Sequence, residues 1–124
     1  KEGKTITYTE LRKRAINYEM EKYLSQEEIT MEKVNYSYEL WEEHRQMAAD
    51  RHLYHDTISM LDQLKECFPD ATIAAITNGK GNPLRMNSIK DYFDYCISGE
   101  DDGVFPNRKP SAGIYQVALE RFKE

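Results

Sequence analysis

Residues 71–77, Ala-Thr-Ile-Ala-Ala-Ile-Thr, are small or β-branched and do not alternate apolar with polar. That texture suits a parallel strand covered by helices on both faces, and it is the strongest constraint in the chain. The flanks agree with it. Asp56 is placed to cap a helix through Ile58, Leu61, Leu64 and Phe68, which Pro69 ends. After the strand, Asn82-Pro83 predicts another helix start, carrying Leu84, Ile89 and Phe93. A second short strand is expected at Tyr95 to Ser98, and Pro110-Ser111 opens a last helix through Ile114, Val117 and Phe122. Alternating helices and strands imply an α/β fold with a Rossmann-like α/β/α core. Two strands make a partial parallel sheet, so further strands are expected from beyond both ends of the sequence.

Residues 1–52 read differently. Thr7-Tyr8-Thr9-Glu10 has the form of a capping box, in which the Thr7 hydroxyl and the Glu10 carboxylate satisfy free N–H groups. A helix should follow to about Leu24, packing through Leu11, Ala15, Tyr18 and Tyr23. A second should run from Thr30 past Met47, with Val34, Tyr38, Trp41 and Met47 as its apolar stripe. No strand is legible before residue 70. The expected organisation is a helical segment over 1–52 and a partial α/β core over 53–124.

At 124 residues the chain has room for one ordinary domain. A net charge of −5 gives no field that attracts a polyanion, so nucleic acid is not an expected partner. No apolar run approaches the roughly 18 residues of a membrane span, and none reads as a signal peptide. The expectation is a soluble, intracellular protein, cytoplasmic or organellar, whose native N-terminus lies ahead of Lys1. Cys67 and Cys96 lack CxxC spacing and read as reduced core residues.

Ligands of open parallel sheets bind beyond the carboxyl ends of strands, which is where Thr77-Asn78-Gly79 falls. A threonine hydroxyl and backbone N–H groups in a glycine-permitted turn can surround a phosphate oxygen. Asn-Gly also forms plain tight turns, but no returning strand follows to complete a hairpin. Lys80 stands next to this turn. Further on, Phe105-Pro106-Asn107-Arg108-Lys109-Pro110-Ser111 sets a lysine at a helix boundary, from which its ammonium can offset phosphate charge.

Taken together, Ile76-Thr77-Asn78-Gly79, Tyr92-Phe93-Asp94, Ser98-Gly99-Glu100 and Lys109-Pro110-Ser111 resemble the second and third motifs of the haloacid dehalogenase-like hydrolases. The resemblance covers about residues 53–124, and the preceding helices resemble that family's helical cap. It implies a phosphomonoesterase acting on a small phosphorylated metabolite through an aspartyl-phosphate, with Mg²⁺ as cofactor. It also implies that Thr77 and Lys109 are catalytic and that Thr77, Asn78, Gly79 and Lys80 face the phosphate and substrate.

The family's first motif, the aspartate nucleophile with its acid/base aspartate, should lie upstream, and its acidic metal ligands downstream. Neither occurs in this stretch, so no metal ligand is assigned here and the fragment itself should be inactive. Asp101 and Asp102 read as solvated loop charges, and the loop before Lys109 is longer than the family's usual spacing. His44, His52 and His55 lack a completing ligand set and read as structural or surface residues. Trp41 reads as packing within the cap. Two other readings stay open: a 2-haloacid dehalogenase, with metal-free carbon–halogen chemistry, and a non-catalytic binding module.

Overall fold

The structure is a computed structural model that describes residues 5–124. Residues 1–4, the start of the expected helical segment, lie outside the described residues. The observed elements are α1 (Tyr8–Met20), α2 (Met31–Arg51), α3 (Thr57–Cys67), β1 (Ala74–Thr77), two 3₁₀ turns (Pro83–Arg85 and Lys90–Tyr92), β2 (Tyr95–Ser98) and α4 (Ala112–Lys123). The described residues form a mixed α/β fold, with four helices and a two-stranded parallel sheet. No described helix is long and apolar enough to cross a membrane. The chain divides into two compact units, one ending at Arg45 and one spanning Gln46–Glu124. The division falls inside α2, ahead of the expected boundary at 52/53.

In the first unit, the Thr7 hydroxyl accepts from the Glu10 N–H at 3.0 Å, making one half of the expected capping box. The Glu10 carboxylate takes the Arg14 guanidinium one turn on. Helix α1 ends four residues early, because N–H bonds from Lys22 to Glu19 and from Tyr23 to Met20 tighten the chain into turns. Its expected packing face is also displaced. Leu11, Ala15, Tyr18 and Tyr23 are exposed, while Lys13, Ile16, Asn17 and Met20 form the half-buried stripe. Tyr38 explains the displacement: its hydroxyl lies 3.2 Å from the Thr9 hydroxyl, and the Lys13 ammonium stands 5.2 Å from its ring. Val34 is the buried apolar anchor of this unit. Trp41 is half-buried, with the Arg12 guanidinium 4.2 Å from its ring and Tyr38 beside it at 5.9 Å.

In the second unit, Asp56 holds the N-cap position of α3 but makes no side-chain cap bond. Leu61 is the buried residue of that helix, and Ile58 and Phe68 are exposed. Strand β1 begins at Ala74 rather than Ala71, although Ile73 already pairs with the Asp94 backbone and carboxylate. β1 and β2 run parallel, in register from Ala74 opposite Tyr95 to Thr77 opposite Ser98. The core beneath them joins Ile97, Val104, Ile114 and Ala118, with Ile76, Tyr95 and Val117 packed against it.

The helix expected from Asn82 does not form. Asn82 does cap a turn, its side chain accepting from the Leu84 N–H at 2.9 Å, and Pro83 stands at its first position. Met86 then turns extended, and the Ser88 N–H goes to the Asp50 carboxylate at 3.0 Å instead of a preceding carbonyl. These diversions stop helix propagation, leaving two 3₁₀ turns. At the other end, Ser111 caps α4, its hydroxyl accepting from the Gly113 N–H at 3.4 Å.

Candidate functional site

Thr77 ends β1, and Asn78 and Gly79 turn the chain off the sheet edge. The Thr77 hydroxyl oxygen accepts from the Gly79 N–H at 3.3 Å, a short local turn that holds the hydroxyl at the strand end. Its own proton has no acceptor among the described residues, so it remains available to a ligand. The Thr77 carbonyl accepts from the Gly99 N–H at 2.7 Å, tying the ends of the two strands together.

The structure brings Lys109 to this turn across 31 residues of sequence. The Lys109 N–H donates to Asn78 Oδ1 at 2.7 Å, and Asn78 Nδ2 donates to the Lys109 carbonyl at 3.1 Å. The Lys109 Nζ donates to the Ile76 carbonyl at 3.0 Å. Thus Thr77, Asn78, Gly79 and Lys109 form one cluster at the carboxyl end of β1. The Lys109–Pro110 and Phe105–Pro106 peptide bonds are both cis.

Lys80 follows a different course. Its side chain is exposed, and its carbonyl accepts from Gln46 Nε2 at 2.8 Å. Gln46 Oε1 lies 3.5 Å from the Asn82 N, so one buried carboxamide spans both sides of Gly81. Sequence reasoning missed Gln46, since nothing local marks a contact made 34 residues away.

Two further supports come from β2. Ser98, 8% exposed, donates its hydroxyl to the Gly79 carbonyl at 2.7 Å and accepts from the Glu100 N–H at 3.1 Å. Gly99 is buried so close to the turn that a Cβ there would lie 2.7 Å from Arg108 Cβ and 2.9 Å from the Asn78 carbonyl oxygen. Only glycine fits this approach without movement.

Asp101 corrects the expectation of a solvated loop charge. Its carboxylate accepts from the Ser98 N–H at 2.8 Å, and its carbonyl accepts from the N–H groups of Val104 and Phe105. It closes the end of β2, whereas Asp102 is exposed. The spacing Ser98-x-x-Asp101 is the local signal that could have revealed it.

Among the described residues, no group of three or more His, Cys, Asp or Glu side chains is placed to hold a metal ion. His44, His52 and His55 are all exposed. The side chains around Thr77 are cationic and neutral and supply no carboxylate ligand of their own. Cys96 lies on β2 with its thiol 3.9 Å from the Gly81 carbonyl; burial and then the Asp101 charge push its pKa up, against an opposing effect of Arg121.

No family model matches the chain, and neither a curated protein nor a solved structure matches it.

Proposed function

We propose that this chain is the phosphate-receiving half of a haloacid dehalogenase-like phosphohydrolase with a Rossmann-like core. The observation that carries this reading is the junction of the two motif segments: Thr77-Asn78-Gly79 at the end of β1 is hydrogen-bonded to Lys109. The resemblance alone calls for both segments to serve one phosphoryl group. In this reading the free Thr77 hydroxyl proton goes to a phosphoryl oxygen, and the Lys109 ammonium exchanges the Ile76 carbonyl for the charge of phosphate and attacking carboxylate. Gly79 lets the backbone approach, and exposed Lys80 is the substrate-side cation.

In this reading the nucleophilic aspartate and the Mg²⁺ ligands are supplied from outside these residues. Phosphate-monoester hydrolysis needs acceleration of up to ~10²¹-fold, which a hydroxyl and a lysine alone do not provide. The 124-residue chain is therefore inactive by itself, while the parent protein turns over a small phosphorylated metabolite.

One observation favours a second reading, a non-catalytic module: the Lys109 ammonium and the Asn78 carboxamide are both engaged in internal bonds. One assay separates the readings. The full-length protein is incubated with a panel of phosphomonoesters and 2-haloacids, with Mg²⁺ and with chelator. Chelator-sensitive phosphate release that falls steeply, to a measurable residue, in Lys109→Ala supports the phosphohydrolase. Metal-independent halide release would move the assignment to a dehalogenase, and no turnover at all to the binding module.

A further inference from the structure

The resemblance puts Asn78 among the groups that face phosphate, yet its side chain points elsewhere. A carboxamide presents one acceptor oxygen and two N–H donors. The Asn78 oxygen and one of its donors are both spent on the backbone of a single residue, the N–H and C=O of Lys109. We propose that Asn78 is a positioning residue: its carboxamide clamps the Lys109 backbone and so aims the lysine, rather than binding phosphate itself. This rests on the phosphohydrolase reading above.

The loop's own chemistry explains why a clamp is needed. Pro106 and Pro110 have no N–H, so the segment from Phe105 to Ser111 has few backbone donors with which to anchor itself. The Asn107 and Ser111 N–H groups are used within the segment's own turns, on the Val104 and Arg108 carbonyls. The Lys109 N–H is the backbone donor that reaches the turn after β1. With its backbone held at two points, the lysine's flexible stem has one fixed origin, and its ammonium reaches the Ile76 carbonyl next to Thr77. Aspartate would keep the acceptor but face the Lys109 carbonyl with a second oxygen, and alanine would remove both bonds.

The test is a double-mutant cycle in the full-length protein with p-nitrophenyl phosphate and Mg²⁺, joined to amide hydrogen exchange at Lys109. Asn78→Ala is expected to lower kcat by about 10–100-fold through misplacement of the lysine, with little change in KM. It should add no further loss on top of Lys109→Ala, because it acts through that residue. Losses that multiply in the double variant, or a raised KM at unchanged kcat, would overturn the proposal, since both mark a carboxamide that binds substrate independently. Hydrogen exchange reads the clamp without turnover: the Lys109 amide should be protected in the wild type and in Asn78→Asp, and unprotected in Asn78→Ala. Equal protection in Asn78→Ala removes the clamp. A wild type that protects this amide but hydrolyses no phosphomonoester overturns the phosphohydrolase reading instead.

Discussion

The carboxamide of Asn78 faces the backbone of Lys109 as a matched donor–acceptor pair, with bonds of 2.7 and 3.1 Å. Both bonds cross from the turn after β1 to the loop before α4, so the two segments form one structural unit. Whatever perturbs the turn is felt at the lysine.

Gly99 is the tightest neighbour of that unit. A methyl group there would press on Arg108 Cβ and on the Asn78 backbone, and the latter cannot swing away as a side-chain tip can. Gly99→Ala is expected to destabilise the protein by about 1–3 kcal/mol, the usual cost of overpacking. Urea unfolding measures it, and an unchanged midpoint would contradict the close approach.

Gln46 should matter more than its place on a helix suggests. It is 4% exposed and satisfies the Lys80 carbonyl, with the Asn82 N–H at longer range. Gln46→Ala leaves these groups to find other partners, a loss of about 1–3 kcal/mol where water does not replace it. Gln46→Glu keeps an acceptor and loses the donor, so its stability should fall as well. Two variants as stable as the wild type in the same urea titration would show that the carboxamide holds nothing.

The cysteines should separate by reactivity. Cys67 is exposed, whereas the Cys96 thiol is partly buried and pushed up in pKa by desolvation and by Asp101, which depletes its thiolate. In native protein near pH 8, iodoacetamide should label Cys67 first, as read by intact mass and peptide mapping. Equal labelling rates would mean that the β2 environment is open.

Tyr92 gives a pH signature. Its hydroxyl donates to the Asp62 carboxylate, which raises the phenol's pKa; desolvation and the carboxylate's charge act in the same direction. A raised folded-state pKa means that the folded form holds its proton more tightly than the unfolded chain. The stabilisation is therefore complete below the ordinary phenol value of about 10 and is lost as pH rises through the folded value. The difference in melting temperature between wild type and Tyr92→Phe should be constant near neutrality and shrink above about pH 10. A difference that grows with pH would reverse the assignment.

What was legible in the sequence follows from the range of the forces involved. The run ending at Thr77, the strand at Tyr95–Ser98 and the Ser111 cap are local in origin, and each lies close to where its residue types place it. The helix after Pro83 failed because Asp50, 38 residues away, captures the Ser88 N–H. The face of α1 was misjudged because Tyr38 draws in Lys13 and Thr9, while hydropathy pointed to Leu11 and Tyr18. Val104 is fully buried from within a turn-rich loop, where no periodicity could mark it. At the site, the residue types of Thr77, Asn78 and Lys109 were readable, but the partner of Asn78 was set by tertiary approach.

The Lys109 ammonium also bears on how copies of this chain behave toward one another. Carbonyls alternate sides along a strand, and those of Ile73 and Thr77 both turn toward β2. The Ile76 carbonyl, which the ammonium holds, therefore lies on the outer edge of β1. A short strand with open backbone groups is a template for zipping onto another molecule, and a lysine laid across it is a common defence. The same charge that the proposed chemistry would use thus lies where a further strand would pair with β1, and any strand that adds there, from this protein or another, must first displace it.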